Sequence, residues 1–224
     1  MKRLFGIVSA DVVDSTSLER EAVLQLRKDI NNGLFCDLTG QYPSFWGRVV
    51  RGDTIECCIS QARYSFRVAL LAKCWMKNWA EANGGSSDMR RLGLRCSIGI
   101  GKMRIVDREE DILDGDAIYI AGRNLDFISG SNVPVAFGMN TTYTDVEDLI
   151  ANNLLLLDTL LYELTSRQSE VLYYKLMGYR EIEISRILQI SQAAVNLRAR
   201  NAGWQRIKGT LKVLENIEYG EYVD

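Results

Sequence analysis

The chain has 224 residues, of which 47% are hydrophobic and 25% are charged, a balance typical of a folded globular protein. Its net charge is −2, it has no apolar run long enough to span a membrane, and its lack of histidine excludes His-based catalytic triads. The five cysteines are odd in number and lack Cys-x-x-Cys spacing, which indicates free thiols in a cytoplasmic protein.

Strands and helices are predicted to alternate along the first 164 residues. Stretches rich in β-branched and apolar residues predict strands at 4–13, 45–51, 54–59, 92–100 and 133–139. Apolar residues at helical spacing predict helices at 16–31, 60–83, 115–129 and 144–164, the first opened by a capping box of Thr16 and Glu19. An acidic loop is predicted at 107–111. The order strand, helix, strand, strand, helix, strand predicts a ferredoxin-like βαββαβ core in an α+β protein.

Three further helices are predicted after residue 164. The first ends at Gly178, the second spans 182–188, and the third follows Ser191, whose hydroxyl can cap it. In the third helix Val195 and Ala199 are predicted to be buried, while its polar residues face outward. This pattern predicts an all-α helix-turn-helix domain at the C-terminus.

The charge of this C-terminal segment favours a nucleic-acid partner. Residues 164–212 hold nine Lys or Arg and three Glu, a net charge of +6. The stretches 164–172 and 182–191 resemble the helix-turn-helix of sigma-factor region 4 and LuxR-type regulators, which implies binding to double-stranded DNA, with a homodimer expected. The expected DNA-binding residues are Gln192, Ala193, Asn196, Arg198, Arg200 and Lys208. The alternative is a three-helix packing module with solvated basic faces.

A second candidate site lies in the N-terminal half. In a ferredoxin-like sheet the end of the first strand lies beside the start of the third, which would bring Asp11 close to Asp53. Two neighbouring carboxylates repel unless a divalent cation lies between them, so Mg²⁺ or Mn²⁺ is the expected ligand. The alternative is that both aspartates serve only turn and helix-entry geometry.

Short motifs around these aspartates resemble those of class III nucleotide cyclases. The stretch 11–16 and the pair at 52–53 are similar to the metal-binding motifs, and 115–123 is similar to a later phosphate-binding motif. The resemblance implies that Arg123 binds phosphate. Tyr119 stands where the cyclase pattern has asparagine, and 46–51 lacks the purine-reading lysine, so turnover is expected to be near background.

A second resemblance covers more of the N-terminal half. The stretches 10–15, 52–53 and 94–101 are similar to the bacterial SatD family, which implies a bacterial cytoplasmic protein. The predicted organisation is a cyclase-like or SatD-like domain (1–145), a connecting helix (146–163) and a helix-turn-helix domain (164–224). The predicted function is a DNA-binding transcriptional regulator whose N-terminal domain dimerises or senses a small-molecule or nucleotide effector. The alternative is a Mg-dependent nucleotide-binding or nucleotide cyclase-like enzyme.

Overall fold

The computed structural model describes residues 3–50, 52–131 and 133–224. The strands in these ranges are β1 (Phe5–Val12), β2 (Trp46–Val50), β3 (Thr54–Ile59), β4 (Leu94–Gly101), β5 (Met103–Asp107), β6 (Ile112–Gly115) and β7 (Val135–Met139). The helices are α1 (Arg20–Asp29), α2 (Cys36–Gln41), α3 (Ser65–Ala82), α4 (Ser87–Leu92), α5 (Asp116–Ser129), α6 (Thr144–Tyr162), α7 (Ser166–Leu176), α8 (Glu181–Ile187), α9 (Gln192–Asn201) and α10 (Trp204–Glu215). The predicted α+β class is confirmed.

Five strands form one sheet in the order β2-β3-β1-β4-β7. The first four are antiparallel to their neighbours, and β7 runs parallel to β4. The register places Asp11 of β1 opposite Thr54 of β3, so the end of β1 does lie beside the start of β3, as predicted. Arg51, the predicted last residue of the second strand, lies outside the described residues.

One face of the sheet carries the main hydrophobic core. Successive side chains of a strand point to opposite faces, and Val8, Ala10 and Val12 of β1 all point to the face covered by α3. The helix contributes Leu71 and Met76, neither of which has exposed surface. Apolar side chains of the strands and of α3 pack against each other, so solvent is excluded from this face.

The C-terminal helices pack on the outer side of α3 and extend the same core. Arg67 of α3 donates from Nε and Nη2 to the two carboxylate oxygens of Glu215 on α10, at 2.7 and 2.8 Å. The ammonium group of Lys77, also on α3, donates to the carbonyl oxygen of Leu161 at the end of α6, at 2.5 Å. These hydrogen bonds lie within an apolar contact and therefore fix the position of the C-terminal helices.

The leucine-rich helix α6 has one side buried against the core and one side exposed. Leu154, Leu157 and Leu161 are buried against the core, whereas Leu149 and Leu156 are 64% and 68% exposed. In the described part of the chain, no helix is both long and apolar enough to cross a membrane.

The opposite face of the sheet is only partly covered. Here α5 packs against β4 and β1, and Gly99 permits the contact, because a Cβ atom there would lie 2.2 Å from the carbonyl oxygen of Ala117. Ile7 and Cys58 join Ala117 and Ala121 in a small second core. Polar side chains occupy much of the remainder of this face.

The start of the first helix differs from the prediction. The capping box of Thr16 and Glu19 is absent, because Thr16 belongs to a 3₁₀ turn and α1 begins at Arg20 without a side-chain cap. That turn is held by Asp14, whose backbone is left-handed with φ of 54° and whose carbonyl accepts from the Ser17 hydroxyl at 2.7 Å. A π-helical segment, Ile30–Phe35, then joins α1 to α2, so the helical region extends past the predicted end near residue 31.

The stretch predicted as an acidic loop is the turn of a hairpin. β5 and β6 pair antiparallel outside the main sheet. The Asp107 carboxylate accepts from the backbone N–H groups of Glu109 and Glu110 at 3.0 and 3.1 Å, a local turn geometry that aspartate favours. The flanking strands were missed because they are short and partly exposed.

Candidate functional site

A cleft of about 500 Å³ opens between α5 and strands β1, β2 and β3. Its residues are mostly polar, and they come from alternate positions of the strands together with one side of the helix. They are Ser9, Asp11, Arg48, Val50, Thr54, Glu56, Gly122, Leu125 and Asp126. The volume lies in the range typical of pockets for small ligands.

Strand register explains why these polar residues share one face. Ser9 and Asp11 are two positions apart on β1, so both point away from the α3 core. Glu56 lies opposite Ser9, and Thr54 lies opposite Asp11. On the next strand Arg48 lies opposite Glu56. A two-residue period on three paired strands thus gives a polar floor under α5.

Of the two aspartates predicted to hold a metal, Asp11 is near the end of β1 and Asp53 is in the turn just before β3. Asp11 Oδ1 accepts from the Thr54 hydroxyl at 2.8 Å, and its Oδ2 lies 3.4 Å from the Ser129 hydroxyl of α5. The Asp53 carboxylate accepts from the Ser15 hydroxyl. The structure therefore brings the aspartates together in the backbone while orienting each carboxylate with its own hydroxyl. Residues 3–50, 52–131 and 133–224 contain no cluster of three or more metal-ligating acids, cysteines or histidines.

The pair of Arg48 and Glu56 fills one side of the cleft. Arg48 Nε and Nη2 both lie 2.7 Å from Glu56 Oε2, and Nη1 donates to the backbone carbonyl of Asp111 in the hairpin turn. Burial alone would lower the pKa of Arg48, but the hydrogen bonds and charges of Glu56 and Asp111 outweigh it and raise that pKa above its ordinary value. Arg48 is thus charged and its charge is already matched.

Two serine hydroxyls on this face have no hydrogen-bond partner among the described residues. Ser9 is 2% exposed and Ser97, directly opposite it on β4, is fully buried. Sequence reasoning missed Ser9, Arg48 and Glu56. The available signal was a polar residue at every second position of strands otherwise rich in valine, isoleucine and cysteine.

The predicted phosphate-binding residue lies elsewhere. Arg123 is exposed on α5 and is not among the residues that line the cleft. Tyr119 is also outside it, and its hydroxyl contacts Asp114 and Arg104 near the hairpin. Within one chain, the structure therefore does not bring Arg123 to the Asp11 carboxylate.

Four of the six residues predicted to contact DNA lie together on one side of α9, where they line a shallow depression, and the other two lie outside it. Gln192, Ala193, Asn196 and Arg200 on α9 and Lys208 on α10 are exposed, whereas Arg198 is half-buried. The predicted burial of Val195 and Ala199 is confirmed. Asn196 lies 3.4 Å from the Glu181 carboxylate of α8, so part of its hydrogen-bonding capacity is directed within the protein.

Comparison with known proteins gives matches among solved structures alone, since no family model and no curated protein matches the chain. A bacterial light-regulated adenylyl cyclase matches at 16% identity and TM-score 0.39, over 60% of this chain and 75% of that one. An adenylate/guanylate cyclase/hydrolase from Silicibacter pomeroyi matches at 21% identity and TM-score 0.45, over 68% and 82%. The guanylyl cyclase Cya2 matches at 19% and 0.36, over 56% and 70%. At these identities the likeness concerns the fold.

These findings contradict the prediction of a DNA-binding transcriptional regulator. The three matched structures named above are described as nucleotide cyclases and not as DNA-binding regulators. The physical source of the error is visible in the fold. The sequence argument treated the helices after residue 164 as an independent basic module, whereas α7 and α10 are built into the core beside α3.

Proposed function

We propose that the chain binds a nucleotide together with Mg²⁺ in the cleft between α5 and strands β1, β2 and β3. The observation that carries this proposal is the charge of the lining. Three carboxylates, Asp11, Glu56 and Asp126, face the cleft, and Arg48 is already paired with Glu56. A polyphosphate would meet net negative charge here, so it would bind only together with a divalent cation.

Asp11 and Asp53 are the residues that would hold the cation. Mg²⁺ is usually bound by one or two carboxylates, with phosphate oxygens and water completing its coordination. Asp11 lines the cleft, and Asp53 lies just beyond the lining residues, in the turn before β3, where its backbone carbonyl accepts from the Val12 N–H at 3.4 Å. Together the two aspartates would supply that donor set. When bound, the cation supplies the positive charge that neutralises the phosphate oxygens.

The hydroxyls around the aspartates have a positioning role in this proposal. Thr54 donates to Asp11 and Ser15 donates to Asp53, so each carboxylate is held in one orientation while keeping oxygen lone pairs free. Arg48 holds Glu56 against the side of the cleft and ties the floor to the hairpin turn at Asp111. These contacts form the rigid frame that a specific small-ligand site needs.

For the C-terminal helices we propose a bracing role within the same protein. Helices α7 to α10 follow one another along the chain after α6. The contacts that support the bracing role are the Arg67–Glu215 ion pair and the hydrogen bond of 2.6 Å from Tyr173 to Asp37. Both join these helices to elements that form the covered side of the sheet.

Calorimetric titration with ATP and with GTP tests the proposal. With millimolar Mg²⁺ at least one nucleotide should bind, and replacing Mg²⁺ with EDTA should abolish binding. Asp11→Asn should weaken binding in Mg²⁺ by about tenfold or more, because one charged ligand oxygen is lost.

A matched control is Asp148→Asn, which changes an exposed aspartate on α6 that is not among the cleft-lining residues. This variant should bind as wild type does. Equal binding in Mg²⁺ and in EDTA, or equal losses in the two variants, would contradict the proposal. Analysis of the same mixtures for cyclic nucleotide shows whether binding is accompanied by turnover.

A further inference from the structure

The Ser9 hydroxyl is a feature of the cleft that the proposed metal and phosphate would not use. The Ser9 side chain is nine-tenths buried, lines the cleft, and its hydroxyl bonds to no described residue. A buried hydroxyl without a partner has lost its hydrogen bonds to water and is destabilising. A ligand group that bonds this hydroxyl would remove that penalty.

The distance from the aspartate defines where on a ligand this hydroxyl would act. Ser9 and Asp11 are two residues apart on the same face of β1, and a strand rises about 3.3 Å per residue, so the two side chains leave the backbone roughly 7 Å apart. A phosphate held through a cation at Asp11 would therefore place the adjoining part of the ligand over Ser9.

The chemistry of the Ser9 hydroxyl favours a neutral group. A charged group buried beside this hydroxyl would lose hydration without meeting an opposite charge. A hydroxyl of the ligand could instead exchange a hydrogen bond with Ser9. In a nucleotide, the neutral hydroxyls next to the phosphates are those of the ribose.

The helix above leaves room for such a group. Gly122 of α5 lines the cleft, and a Cβ atom built there would meet no atom within 4 Å. By contrast, a Cβ atom at Gly99 or Gly101 on β4 would lie within 3.0 Å of atoms at the beginning of α5. The helix thus packs closely on β4 at its beginning and leaves open space beside Gly122, within the cleft that Ser9 also lines.

We propose that Ser9 binds a ribose hydroxyl of the nucleotide and so distinguishes ribonucleotides from deoxyribonucleotides. This inference rests on the proposed function, since it assumes a nucleotide with its phosphates at Asp11. It assigns a ligand-binding role to a residue outside the predicted metal and phosphate site.

The test measures dissociation constants in Mg²⁺ for the better-binding ribonucleotide and for its 2′-deoxy and 3′-deoxy forms. Wild type should bind one deoxy form about three- to tenfold more weakly, the effect of one hydrogen bond. Ser9→Ala should bind the ribonucleotide more weakly than wild type does, by a similar factor. The variant should bind the ribonucleotide and that deoxy form with equal affinity. Ser65→Ala is the control, because Ser65 is buried on the other side of the sheet and its hydroxyl bonds the carbonyl of Ala62 at 2.7 Å.

Melting temperatures of the free proteins give a second readout. Ser9→Ala should melt at or above the wild-type temperature, because it removes an unbonded polar group, whereas Ser65→Ala should melt lower. Equal affinity of wild type for all three nucleotides, or a lower melting temperature for Ser9→Ala like that of the control, would overturn this inference and leave nucleotide binding intact. Failure of wild type to bind any nucleotide in Mg²⁺ would overturn both proposals.

Discussion

The two faces of the five-stranded sheet are built from alternate residues of the same strands, yet they are covered differently. On the α3 side, Val8 and Ala10 are buried against apolar side chains, and the two buried ammonium groups, of Lys73 and Lys77, both have partners. An example is Lys73, whose ammonium group lies 2.6 Å from the carboxylate of Asp158 with both side chains almost fully buried. On the α5 side, Ser9 and Ser97 are buried without partners, and the adjoining floor is open.

This contrast separates stability from ligand binding. A fully packed face with satisfied polar groups contributes most to the free energy of unfolding. A face that keeps unpaired hydroxyls and carboxylates beside a cavity gives up part of that contribution, as binding sites commonly do. Substitutions on the two faces should therefore have opposite balances of stability and affinity.

Truncating one leucine on each face should show the largest difference. Leu71→Ala, on α3, should lower the free energy of unfolding by about 3–5 kcal/mol, because it leaves a cavity in a closed core. Leu125→Ala, on α5, should cost clearly less, about 1–2 kcal/mol, since Leu125 borders the cleft. Urea unfolding of both variants measures the difference, and equal losses would remove the contrast in packing.

The buried amine on the α3 side predicts a pH dependence. Burial lowers the pKa of Lys77 from 10.5 to about 8. Between these values the unfolded chain binds more protons than the folded one, so this group's contribution to the free energy of unfolding increases as pH rises from about 8 to 10.5. The increase should be on the order of 3 kcal/mol at most.

Lys77→Met provides the reference for that measurement, because it removes the titrating amine and keeps every tyrosine and cysteine of the chain. The wild-type minus variant difference should rise through this pH window in urea unfolding experiments. A flat difference would mean that the Lys77 amine keeps an ordinary pKa in the folded state. The variant itself should be less stable at every pH, since the carbonyl of Leu161 loses its donor.

Much of the sheet could be predicted, because its strands are runs of β-branched residues separated by clear turns. The proximity of Asp11 to Asp53 was predicted from strand order alone. The Arg48–Glu56 pair was missed, since pairing across strands depends on a register that local patterns do not give directly. The helix start at Arg20 was missed because Asp14 adopts a left-handed backbone and inserts a 3₁₀ turn.

The function of the C-terminal helices was misjudged for a related reason. Local charge indicated an independent module, but burial of α7 and α10 against α3 depends on partners distant in sequence, such as Arg67 with Glu215. Periodicity shows which face of a helix is apolar and not what that face contacts. The basic residues of this segment therefore carried more weight in the prediction than the fold supports.

Weakening the Arg67–Glu215 ion pair between α3 and α10 should have a moderate effect on stability. Glu215→Gln should lower the free energy of unfolding by about 1–2 kcal/mol, because Arg67 keeps a neutral acceptor but loses its opposite charge. Nucleotide affinity of the folded protein should be unchanged. A large loss of affinity in this variant would show that the two faces of the sheet are energetically coupled.

The smallest effect is expected at Gly122. Gly122→Ala should raise the free energy of unfolding by about 0.5–1 kcal/mol, because alanine favours the helix and its Cβ meets open space. Thermal unfolding measures this gain. A loss of stability would show that α5 lies closer to the strands than the structure indicates.

Filling the cleft from the same position tests the central claim most directly. Gly122→Leu projects a larger side chain from α5 toward the space above Ser9 and Asp11 without requiring the helix to unfold. The measurement is the affinity of this variant for the nucleotide in Mg²⁺, with its melting temperature recorded beside that of wild type. The account predicts a loss of affinity of at least about tenfold with the melting temperature retained. Wild-type affinity in a folded Gly122→Leu protein would contradict nucleotide binding in this cleft.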